Sequence, residues 1–90
     1  MKYTDKEIKE SIIEFLGEEG NKYFRELKEE HGTCWVRTKL DNGLSLSNWT
    51  IEGRQIRNHL IDKFPDIVET LGNYEEFEDY VCEIVEKIFE

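Results

Sequence analysis

Apolar residues return every third or fourth position at both ends of this 90-residue chain and every second position in its middle. A period near 3.6 marks amphipathic helices and a period of 2 marks strands. At the N-terminal end, Ile8, Ile12, Phe15 and Leu16 share one helical face. Thr4 followed three residues later by Glu7 is a capping box, so the pattern predicts a helix from about Asp5. Gly17 fits its C-cap. A second helix is expected from about Glu19 to Glu30, with Tyr23, Phe24 and Leu27 inward and Gly32 ending it.

The texture then changes. Cys34, Val36, Thr38 and Leu40 alternate with Trp35, Arg37 and Lys39. Asp41-Asn42-Gly43 follows, and alternation resumes in Leu44-Ser45-Leu46. Alternation around Asn-Gly is a strong hairpin signal. Thr50 is placed to cap a third helix from about Ile51 to Lys63, with Gly53, Ile56, Leu60 and Phe64 on its inner face. Pro65 stops it and turns Phe64 out of the helical region. Residues 66–71 read as a short helical turn ended by Gly72. Asn73 with Glu76 then opens a last helix from about Tyr74 to Phe89.

That last helix has the cleanest pattern. Phe77, Tyr80, Val81, Ile84, Val85 and Ile88 occupy one broad face. Glu75, Asp79, Glu83, Glu86 and Glu90 cluster within about 80° on the opposite face. The expectation is an α+β fold: one mostly helical domain over residues 1–90, with one β-hairpin inserted between the second and third helices. A lone hairpin is marginal in water, so it would have to pack on the helices.

Charge sharpens the picture. The chain carries −9 at pH 7, and residues 66–90 hold nine acids against the single base Lys87. Residues 1–32 sum to −3 and residues 33–63 to +2. An acidic surface repels phosphate and attracts basic partners. Eleven aromatics (two Trp, four Tyr, five Phe) argue for a packed core and against disorder. No apolar run reaches the roughly 18 residues of a membrane span, and Met1-Lys2-Tyr3-Thr4-Asp5 does not open a signal peptide. Two cysteines suit a reducing compartment, so the expected location is cytoplasmic.

Catalytic chemistry finds little footing. No glycine-rich phosphate loop, G-x-S-x-G or H-E-x-x-H is present, and no small-molecule substrate or cofactor is implied. His31, Cys34, His59 and Cys82 are zinc-ligand types, but only His31 and Cys34 are closely spaced, so no metal site is expected. Arg54, Gln55, Arg57 and Asn58 are base-reading types within five positions of the third helix. Arg37, Lys39 and Lys63 add charge nearby, and Trp35 or Trp49 offers a stacking surface. Against nucleic acid stands the overall charge, whose long-range field opposes its approach.

The acidic row lacks the interspersed cations of an ordinary surface, and its like charges repel. That cost invites a reason. The sequence therefore predicts a non-catalytic regulatory or inhibitory protein that docks on a basic protein surface through Glu75, Asp79, Glu83, Glu86 and Glu90. Tyr74 and Trp49 are expected nearest an apolar patch there. The row would imitate a phosphate backbone, as an inhibitor of a nucleic-acid-binding effector would need. A nucleic-acid-binding regulator using helix 51–63 is the second reading, and a structural small subunit of a larger complex the third.

Overall fold

In the computed structural model of the protein, residues 2–35 and 51–90 are described with their side chains, and residues 37–39, 45–47, 49 and 50 as backbone only. Helix α1 spans Asp5–His31. The Thr4 side chain caps it by accepting from the Glu7 N–H at 3.1 Å. Asp5 and Glu7 lie in its first turn and Lys28 and His31 in its last, each complementing the local end of the helix dipole. Gly32 closes it in the left-handed region, at φ 75°, and its N–H donates to the Lys28 carbonyl at 2.8 Å.

Two helices were expected here, divided at Gly17. Gly17 does leave helical geometry, at φ 66° and ψ −171°, but the helical path resumes at once, giving one kinked helix. This backbone region is open to glycine and almost nothing else. Asn21 secures the kink. Its side-chain amide donates to the Ile13 carbonyl at 2.9 Å and the Gly17 carbonyl at 2.7 Å.

A π-helical turn at Trp49–Gly53 leads into α2, Arg54–Lys63. The α-helical geometry thus begins three residues later than expected from Thr50. Phe64 leaves the helix with ψ 77° ahead of Pro65, which has no N–H to continue the ladder. Helix α3 is the expected short turn, Ile67–Leu71, ended by Gly72 at φ 115°. Helix α4 spans Tyr74–Ile88. The Asn73 side chain caps it, accepting from the Glu76 N–H at 2.9 Å.

The architecture corrects the expected α+β class. The protein is a small helical domain: 81% of the fully described residues are helical and none is in a strand. Arg37–Lys39 and Ser45–Ser47 pair antiparallel in backbone, Thr38 opposite Leu46, but three residues each do not make a layer. The turn Asp41-Asn42-Gly43, with Val36, Leu40 and Leu44, lies outside the described residues. The described helices and their connections share one buried core. Among the described residues it includes Ile8, Ile12 and Phe24 from α1; Cys34 just after α1; Ile56 and Leu60 from α2; Phe64; Ile67 from α3; Phe77, Val81, Ile84 and Val85 from α4; and Phe89. Fully burying each large apolar side chain contributes about 1.5–3 kcal/mol. Phe24 sits at the middle of an aromatic run, stacked on Phe89 at 5.7 Å and edge-on to Trp35 at 6.0 Å. Phe15 and Tyr23, expected inward, remain exposed. Phe15 stacks on His59 at the edge of the core, and Tyr23 lies edge-on to the buried Phe24.

Polar contacts tie the chain ends to this core. Tyr3 Oη and Lys2 Nζ both donate to Asp66 ahead of α3, the latter at 2.6 Å. Hydrogen bonding from Lys2 and Tyr3 holds the Asp66 carboxyl below its ordinary pKa. Tyr80 of α4 donates to Asp5 at 2.8 Å, and burial, then that bond, pushes its phenol well up.

Candidate functional site

Helix α4 presents its apolar stripe to the core, so its acids fall on the outer side. Glu75, Asp79 and Glu83 are exposed. They follow one another at i,i+4, about 6 Å apart along the axis, and none meets a cation among the described residues. Glu90 is also exposed but lies beyond the last helical residue, Ile88.

Glu86 departs from the expected row. Its carboxylate is only 28% exposed and is taken up by the end of α1 and the chain that follows. Lys28 Nζ donates at 2.5 Å, Thr33 Oγ1 at 2.7 Å and the Cys34 N–H at 2.7 Å. Burial pushes the Glu86 carboxyl up, but these three donors outweigh it and hold it below its ordinary value. Glu86 is therefore a clasp between α4 and α1, not a group held out for a partner. Nothing local announces this, since its donors lie 52 to 58 residues away.

Tyr74 is 47% exposed at the start of α4. Its ring lies edge-on to Phe77, and the Arg57 guanidinium sits 5.7 Å from its centroid. Arg57 also pairs with Glu78 at 3.1 Å and is 19% exposed. The structure thus joins one residue from each expected site in a single structural contact between α2 and α4. Of the remaining base-reading candidates, Arg54, Asn58 and Lys63 are exposed. The side chains of Arg37, Lys39 and Trp49 lie outside the described residues. Trp35 is not a stacking platform held in solvent. It is half-buried, and its indole N–H donates to the Cys82 carbonyl at 3.2 Å.

The zinc-ligand types are dispersed. Among the described residues no three His, Cys, Asp or Glu converge as a metal set, and neither cysteine is in a disulfide. Burial pushes the Cys34 and Cys82 thiols up to about 11, so neither has the depressed pKa of a nucleophile. His59 packs across the α1–α2 contact, with Nε2 at 2.8 Å from Ser11 Oγ and its ring stacked on Phe15 at 4.3 Å. His31, at the end of α1, lies 3.8 Å from its neighbour Glu30.

No helix among the described residues is long and apolar enough to cross a membrane. The chain matches no known protein family, and neither characterised proteins nor solved structures include a detectable relative.

Proposed function

We propose that this is a non-catalytic binding protein of regulatory or inhibitory type, whose acidic α4 face docks on a basic surface of another protein. The observation that carries the reading is the contrast along one helix. Glu78 and Glu86 have taken the nearby cations Arg57 and Lys28. Glu75, Asp79 and Glu83 are left facing solvent with no cation among the described residues. Three carboxylates at about 6 Å intervals form a regular line of negative charge, the feature by which the row would imitate a phosphate backbone, and a reducing, cytoplasmic setting suits the two thiols. The nucleic-acid reading loses weight because Arg57 is already committed to Glu78 and Tyr74.

Charge complementarity acts mainly on association rate. The test compares the native protein with a double variant, Asp79→Lys with Glu83→Lys, in capture from the source cell, then measures association rates with the captured proteins. The expected partners are basic, with association at least tenfold slower for the variant and strongly slowed by salt. In parallel, DNA and RNA oligonucleotides are titrated at physiological salt. Tight oligonucleotide binding, lost with Arg54→Glu and Lys63→Glu, would replace this reading with the nucleic-acid one.

A further inference from the structure

The acidic row supplies charge but no anchor, and interface affinity usually rests on a few apolar or aromatic contacts. Beside the row, Trp35, Cys82, Glu83, Glu86 and Lys87 enclose an open recess of about 350 Å³ with mainly apolar walls. Its volume is at the lower end of the range for small-molecule sites. A recess open on its outer side suits one side chain of a docking partner better than an enclosed ligand.

The walls are held in place. The Trp35 indole is fixed by its bond to the Cys82 carbonyl and by its edge contact with Phe24. The Trp35 N–H donates to Thr33 Oγ1 at 3.2 Å, and Thr33 in turn donates to Glu86. A preformed wall reduces the entropy lost on binding. The surroundings are electronegative. Glu83 lies on the rim, Asp79 stands one turn along α4, and Lys28 neutralises Glu86 from behind. Lys87 is the one cation among the lining residues. The Cys82 thiol registers this environment, raised first by burial and then by Asp79, Glu78 and Glu86.

We infer that this recess is the anchor of the acidic face, and that its occupant is a basic peptide segment carrying a bulky apolar side chain among its lysines or arginines. The inference rests on the proposed docking of α4, and it names the partner's chemistry. The apolar side chain enters between Trp35 and Cys82, while flanking cations reach Glu83 and Asp79. Other exposed apolar groups make poorer anchors. Phe15 is stacked on His59, and Tyr23 lies edge-on to Phe24. The recess lined by Arg25, Lys28, Glu29, Ile88, Phe89 and Glu90 is about half polar, and its charges are of mixed sign.

Three synthetic probes test this: an amphipathic Lys/Leu peptide, oligolysine of equal charge, and an amphipathic Glu/Leu peptide. The Lys/Leu peptide should bind at least tenfold more tightly than oligolysine, and the Glu/Leu peptide should not bind. Cys82→Phe fills the recess and should reduce Lys/Leu binding to the oligolysine level. The native protein provides a second readout, because Cys34 is fully buried and Cys82 is not. Alkylation of Cys82 by iodoacetamide should slow with the Lys/Leu peptide and not with oligolysine. Asp79→Lys with Glu83→Lys should weaken both cationic probes. Equal binding of the two cationic peptides with unchanged Cys82 alkylation overturns the anchor and leaves the acidic face standing. Protection of Cys82 that survives the charge reversal, or that the Glu/Leu peptide also gives, overturns both the basic occupant and the acidic-face reading.

Discussion

A half-buried carboxylate that accepts three hydrogen bonds is harder to replace than one that faces water. Glu86→Ala leaves the Cys34 N–H and Thr33 hydroxyl without that acceptor. With partial solvent access discounted, the loss should be about 1–2 kcal/mol. Glu83→Ala, one turn away and exposed, should stay within about 0.5 kcal/mol. Urea unfolding midpoints distinguish the two, and equal losses would mean that the clasp carries nothing. The same bonds set a pH dependence. The folded state holds the Glu86 carboxyl below its ordinary value, so its contribution is present above the unfolded pKa and lost as pH falls through the folded one. Glu86→Gln should flatten that acid-side loss. His59 acts in a higher window. Burial, then Lys63, lowers its pKa, against the opposing Ser11, Asp62 and Glu14. The unfolded state therefore takes up the proton first, and stability should begin to fall below the ordinary histidine value near 6.5. Stability measured between pH 7 and 5 should decline less in His59→Gln; an unchanged slope would show that the ring does not sense the α1–α2 contact.

At the scale of elements, the kink of α1 is the feature with the sharpest consequence. Gly17 has open space where a Cβ would go, so a substitution there meets no clash and its cost is purely backbone. Gly17→Ala should destabilise by about 1–3 kcal/mol, although alanine is the better helix former. A gain in stability instead would mean that α1 straightens without penalty. What could be read in advance divides by sequence distance. The caps at Thr4 and Asn73 were legible because donor and acceptor lie three residues apart. The buried stripe of α4 was legible because one unbroken helix obeys one period. Gly17 was legible as a break but not as a kink, since a glycine with positive φ ends a helix in the same way whether or not another turn follows. The α+β expectation failed because alternation shows that a segment can form a strand, not that the core needs one. The Glu86 clasp and the Arg57–Tyr74–Glu78 contact were invisible, because a helical wheel sorts a helix's own residues and says nothing of neighbours brought from other helices. The acidic row was correspondingly overcounted.

The whole molecule is a small helical domain carrying −9, most of it in its last quarter. Two opposing electrostatic effects act on its stability. Like charges on the surface repel, and compactness brings them closer than the unfolded chain does. Against this stand Lys28–Glu86 and Arg57–Glu78, whose side chains are 19–34% exposed, and the more open Lys2–Asp66 pair. Salt weakens exposed interactions far more than partly buried ones. The repulsion is the exposed term and the two inner pairs are the sheltered one, so added salt should stabilise the fold. Raising sodium chloride from about 0.01 M to about 1 M shortens the screening length from roughly 30 Å to roughly 3 Å. Thermal midpoints should rise across that range, and chloride is the suitable salt because sulfate strengthens apolar burial by itself. Asp79→Lys, which changes the net charge from −9 to −7, also places a cation at i,i+4 from both Glu75 and Glu83. It should start from a higher midpoint at low salt, by a few tenths of a kcal/mol for each pair, and gain less as salt is added. A midpoint that falls with salt in the native protein would show that its ion pairs outweigh its repulsion. In that case the row on α4 is not a self-repelling surface, and the argument that a basic partner relieves it loses its energetic basis.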